Sequence, residues 1–148
     1  MAWTAPRTWV ASEVVTAAQL NAHIRDNLLA LVPTTPLLFS TGDSILFVKT
    51  GTGRYKAPIA CTLVSVTATC GVEPTDADVI VDVNKDAVTM FTTQGNRPTV
   101  PDGTFEGAKA TPDVTAIAVA DLITVDIDQI GSTLPGENLT VILEITIP

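Results

Sequence analysis

The stretch Leu139-Thr-Val-Ile-Leu-Glu-Ile-Thr-Ile147 decides the fold. Leu139, Val141, Leu143, Ile145 and Ile147 fall on one side of an extended chain, and Thr140, Glu144 and Thr146 on the other. Side chains alternate with period two along a strand, so this segment is expected to lie inside a sheet with one face in a core. The same alternation appears further back, in Leu122 to Ile130, where Ile123, Val125 and Ile127 oppose Thr124 and Asp126. Ile59 to Cys70 reads as a long strand with Val64, Val66, Ala68 and Cys70 on one face and Ser65, Thr67 and Thr69 on the other. Val79 to Val83 and Val88 to Phe91 form a hairpin around Asn84-Lys85-Asp86-Ala87.

Shorter strands are expected at Leu37 to Phe39, Ser44 to Lys49 and Thr115 to Ala118. Turns are expected at Gly42-Asp43, at Thr50 to Arg54 with its two glycines, at Gly71 to Asp76 and at Gly131 to Glu137. A longer loop covers Thr92 to Gly103, with Phe105 as the expected anchor of its far end. About eight short strands without helical crossovers mean a mainly β fold, an antiparallel β-sandwich of jelly-roll-like type, over residues 36–148.

The first 35 residues read differently. Val14 to Leu31 carries the one helical signature in the chain. Thr16 stands at the N-cap with Gln19 three positions on, a capping box, and Val15 and Leu20 supply a hydrophobic staple. Leu20, Ile24, Leu28 and Leu31 make one face apolar, and Pro33 ends the run. A lone helix of about fifteen residues is marginal in water, so that face must pack on something. Two readings stay open: packing on the chain's own sheets, or self-association through Leu20, Ile24, Asn27 and Leu31, with Asn27 as a register-setting polar position. Before the helix lies an extended arm that holds both tryptophans. Trp3, Pro6, Arg7, Trp9 and Val10 are the residue types that anchor interfaces, so the arm is a docking candidate whose tryptophans insert into a neighbour; folding back onto the chain's own core is the alternative.

Composition narrows the function. Of 148 residues, 46% are hydrophobic and 16% charged, which argues for a folded core rather than disorder. Residues 1–70 hold five basic and three acidic side chains, whereas residues 71–148 hold three basic and thirteen acidic. An acidic distal part disfavours nucleic acid, since it has nothing to neutralise phosphates. No apolar run approaches the eighteen or so residues of a membrane span, and the N-terminus lacks the pattern of a signal peptide. Cys61 and Cys70, nine positions apart in one strand, are expected as free buried thiols.

No arrangement of catalytic residues is visible. His23 is the sole histidine and sits on the helix, so a histidine triad has no partner at hand, and a structural or solvated role is expected for it. Gly51-Thr52-Gly53 is too short for a phosphate cradle. Asp76, Asp78 and Asp82, and the pair Asp126 and Asp128, invite comparison with calcium or glycosidase carboxylates, but their spacing fits neither well. The expectation is no enzyme, no cofactor and no metal. Tyr55 beside Arg54 and Lys56 is the candidate contact for a receptor or host-surface glycan.

The segments Trp3-Thr-Ala-Pro-Arg-Thr-Trp9 and Glu13 to Leu28 resemble the N-terminal region of small virion proteins of tailed bacteriophages. Val79 to Lys85, Asn96-Arg-Pro98 and Leu122 to Ser132 resemble the β-rich parts of the same group. The resemblance implies a non-enzymatic structural component of the virion, assembled in the host cytoplasm, with an N-terminal attachment region and an outward β domain. It also implies a homotrimer, with the major capsid protein or tail and baseplate proteins as partners. A chain of 148 residues has no shaft, which favours a capsid decoration or head-fibre protein. A tail-fibre or tail-tip protein, or a carbohydrate-binding module, is the alternative.

Overall fold

The computed structural model describes residues 5, 8–30 and 35–147. The chain divides into two compact units, Met1–Thr34 and Thr35–Pro148.

In the first unit one helical run, α1, covers an α-turn Ala17–Leu20, a π-turn Asn21–Arg25 and an α-turn Asp26–Ala30. The expected capping box is present. Thr16 N donates to Gln19 Oε1 at 2.8 Å, and Gln19 N donates to Thr16 Oγ1 at 3.3 Å. The π-turn, marked by the bond from Asp26 N to Asn21 O, is invisible to apolar periodicity. Residues four apart in an α-helix drift by about 40° around the axis, and a π-turn, being wider, reduces that drift. Leu20, Ile24 and Leu28 are thereby kept close to one line.

The second unit is an antiparallel β-sandwich. Its strands are β1 Thr35–Ser40, β2 Lys49–Lys56, β3 Cys61–Thr69, β4 Val79–Lys85, β5 Val88–Thr89, β6 Thr99–Val100, β7 Ala116–Ile117, β8 Leu122–Gln129 and β9 Thr140–Thr146. One sheet runs β1-β9-β3-β7 and the other β2-β8-β4-β5, with β6 beside the first half of β4. The alternation in β9 and β8 survives intact. Val141, Leu143 and Ile145 from one sheet, and Ile123, Val125 and Ile127 from the other, enter a shared core with Leu63, Val81, Val83 and Phe91. Cys61 and Cys70 are free and buried, as expected. Burial pushes the Cys70 thiol up to about 11 and raises that of Cys61.

Several local expectations fail, each for a reason rooted in sheet packing. Thr50 to Arg54 is not a turn. It is the middle of β2, where the register against β8 jumps between Lys49 and Gly53. Gly51 (φ 64°) supplies the left-handed residue of that bulge, and its N–H donates to Asp126 Oδ1 at 2.6 Å. Gly53 lies under the Phe39 ring of the other sheet, where any Cβ would collide with it. Both glycines serve a strand, not a turn.

Ser44 to Val48 is not a strand, and Lys49 belongs to β2; Ile45 makes a single bridge, to Glu137, while Leu46 is buried and Ile45, Phe47 and Val48 are exposed. In β3 a register shift between Leu63 and Ser65 breaks the expected faces. Val64 is exposed, and Leu63, Ser65 and Val66 are buried. The hairpin turn is shorter than expected: Asp86 and Ala87 alone connect Lys85 to Val88, both with positive φ, as a two-residue hairpin of type I′ requires. Met90 and Phe91 then leave the sheet edge for the core. Phe105, expected as an anchor, is exposed.

The chain enters the sandwich at Thr35, beside Ile145, and β1 ends at Ser40, beside Thr140. At that second end the segments 41–48, 71–78, 101–106 and 131–138 converge. Ile45 and Val72 both bridge to Glu137, Thr75 bridges to Leu134, and Cys70 N donates to Phe105 O.

Candidate assembly interface

In the N-terminal unit, the backbone N–H of Val10 donates to Glu13 Oε2 at 3.3 Å, and Gln19 Nε2 donates to Glu13 Oε1 at 3.2 Å. Glu13 thus ties the end of the arm to the cap of α1. Trp9 meets His23 edge-on, with ring centroids 6.1 Å apart at 80°. His23 accordingly makes an aromatic contact, in line with a structural role. Even so, Trp9 remains 41% and Val10 69% exposed. On the helix, Leu20, Ile24 and Leu28 are 44%, 50% and 62% exposed. Asn27, by contrast, is buried, and its Nδ2 donates to His23 O at 3.4 Å. Leu20, Ile24 and Leu28 are thus exposed apolar residues on α1, whereas Asn27 is not exposed. Trp3, Pro6, Arg7, Leu31 and the Pro33 break lie outside the described residues.

On the sandwich, β2 separates the three residues read as a contact patch. Tyr55 is partly buried and packs on the core, whereas Arg54 and Lys56 point to solvent on the opposite face. Alternation along a strand requires this division.

The aspartates have structural partners. Asp102 Oδ1 accepts from Asp76 N, Asp78 Oδ1 accepts from Asp102 N, and Asp76 Oδ2 accepts from Thr133 Oγ1, all within 2.8 Å. These bonds lace the 71–78, 101–106 and 131–138 segments together. Asp82 is buried and accepts from Val83 N and Thr89 Oγ1; desolvation raises its pKa despite both bonds. Asp126 accepts from Gly51 N and Asn84 Nδ2, while Asp128 pairs with Arg97 at 2.6 Å. Among the described residues no three histidine, cysteine or carboxylate groups are placed to hold a metal ion, and no helix is long and apolar enough to cross a membrane.

No family model and no curated protein matches the chain. Among solved structures, a chain of the cyanophage Pam1 capsid asymmetric unit is similar, with 15% identity and a TM-score of 0.48 over 97% of this chain and 99% of that one.

Proposed function

We propose that this chain is a non-enzymatic structural protein of a bacteriophage virion, docked through its N-terminal arm and displaying the β-sandwich, as a capsid decoration or head-fibre protein. The observation that carries the reading is the exposure of Trp9, Val10, Leu20, Ile24 and Leu28 on a small unit with a built cap and a straightened apolar stripe. Water is a poor neighbour for so much contiguous apolar side chain on so small a unit. The sequence resemblance to phage virion proteins in the same region supports a virion as the place where that surface is covered.

In this reading Trp3, Pro6, Arg7, Trp9 and Val10 dock to the particle. Leu20, Ile24 and Leu28, with Leu31 as the sequence pattern expects, join copies of the chain, with a trimer as the expected state. The sandwich presents the loops at the end opposite Thr35. Those loops, rather than the Arg54–Lys56 stretch, form the displayed surface in this reading, since that stretch lies within β2.

The test uses particles assembled with and without variants. Deleting residues 1–12, or changing Trp9 to Ala, is expected to abolish incorporation while the sandwich stays soluble and folded. Normal incorporation of the deletion variant would refute the docking role. Copy number per particle, from images of purified virions, separates a decoration protein (many) from a tail component (few).

A further inference from the structure

We propose that the outer face of the β2-β8-β4 sheet binds a neutral saccharide, in a cleft whose polar groups match a pair of adjacent hydroxyls. The cleft has a volume of about 440 Å³ and is lined by Thr50, Arg54, Asn84, Leu122, Thr124 and Asp126, among others. That lies within the roughly 300–1,000 Å³ of small-molecule sites.

Strand register builds the floor. Arg54 and Asn84 both stand opposite Thr124, from the two strands that flank β8. Paired positions share a face, so guanidinium, hydroxyl and amide form one row on the side away from the core. Asp126, two residues along β8, lies on the same face and is held from both sides. Its Oδ1 accepts from Gly51 N at 2.6 Å and its Oδ2 from Asn84 Nδ2 at 3.0 Å. A carboxylate oxygen can accept two bonds, so each keeps capacity while the group is fixed in place. The bond to Asp126 also orients the Asn84 amide. Its Oδ1 is turned the other way and has no partner among the described residues, although Asn84 as a whole is only 8% exposed. Among those residues only His23 Nδ1 and Thr52 Oγ1 are enclosed without a partner, so Asn84 Oδ1 is open to a donor in the cleft. The Arg54 guanidinium lies against Gly51, 3.5 Å from where a Cβ would stand, and makes no ion pair or hydrogen bond among the described residues. The hydroxyls of Thr50 and Thr124 are likewise unbonded there.

Charge and stereochemistry select the occupant. One cation, Arg54, shares the cleft with two carboxylates, Asp126 and Asp86, so an anionic ligand meets more repulsion than attraction. A neutral molecule that donates and accepts at neighbouring atoms fits best. Adjacent sugar hydroxyls do this: their protons go to Asp126 and to Asn84 Oδ1, and their oxygens accept from the paired N–H groups of Arg54. Leu122 and Ala87 supply apolar surface for the C–H groups of the ring. Arg54 thus keeps the contact role expected of it, while its partners are its neighbours across the sheet instead of Tyr55 and Lys56. The inference stands whether the chain docks to a head or a tail, because it uses only the sandwich.

The experiment titrates the full-length, ¹⁵N-labelled protein with the methyl glycosides of glucose, galactose, mannose and N-acetylglucosamine, and separately with glucuronate and with methylammonium. At least one neutral glycoside is expected to shift the amide resonances of Gly51, Arg54, Asn84 and Thr124 saturably, with a Kd of order 1 mM. Arg54→Lys keeps the charge but loses the paired donors, and Thr124→Val keeps the shape but loses the hydroxyl. Each should weaken binding about tenfold. A urea midpoint close to the parent's verifies that each variant is folded; the exposure of Arg54 makes its replacement the safer of the two. The proposal is overturned by three results: no saturable shift with any neutral glycoside, shifts that ignore either substitution, or binding of glucuronate or methylammonium alone.

Discussion

Gly53 shows how much one hydrogen atom can matter where two sheets meet. The Phe39 ring occupies the space that a Cβ would need, so Gly53→Ala should cost about 1–3 kcal/mol, read from the urea midpoint. Glu144 is a second residue with a measurable role. It accepts from Lys109 Nζ at 2.6 Å and from Ser65 Oγ at 2.7 Å, and these bonds, the lysine's first, hold its pKa below the ordinary glutamate value. A depressed carboxylate pKa stabilises the fold above the unfolded-state value, and the contribution is lost as pH falls through the folded value. Glu144→Gln should therefore lose less stability than the parent between about pH 5 and pH 3, in urea titrations at each pH. The two thiols report on the core. With Cys70 pushed up to about 11 and Cys61 raised and buried, neither should react with a disulfide reagent at neutral pH until the protein is unfolded.

At the scale of elements, α1 depends on its cap because its own side chains bury so little. Thr16→Ala removes the acceptor for Gln19 N and is expected to cost the helix about 1 kcal/mol, seen as faster amide exchange over residues 19–25 with the sandwich unchanged. The apolar stripe is a separate matter. Changing Leu20, Ile24 and Leu28 together to Asn should reduce the mass measured by light scattering to that of one chain, while leaving the capping box intact. An unchanged mass would assign self-association elsewhere. Among strands, β2 is the instructive one. Its glycines are turn signals to a sequence reader, yet Asp126 and Phe39 recruit them as a bulge and a close approach.

For the whole molecule, the sandwich has its own core, drawn from both sheets and from the Met90–Phe91 segment. Residues 35–148 expressed alone should therefore fold, with a urea midpoint near that of the full chain. The acidic surplus of residues 71–148 also acquires a location. Much of it sits in the loops at the end opposite Thr35, where three aspartates serve as acceptors for backbone and hydroxyl donors. Asp76 and Asp78, two of the carboxylates that looked like metal ligands in the sequence, are thus ties between neighbouring loops.

By itself the sequence determined what depends on neighbours along the chain: the capping box of Thr16 and Gln19, the alternating cores of β8 and β9, and the free, buried cysteines. Period-two patterning and local side-chain-to-backbone bonds need no knowledge of distant residues. Tertiary structure alone decided what depends on a second strand. The bulge at Val64 that turns it to solvent and the threading of Gly53 under Phe39 both arise from pairing across long sequence separations. Register is a property of two strands together, so a slip of one residue reverses which side chains face the core, and no single strand records it.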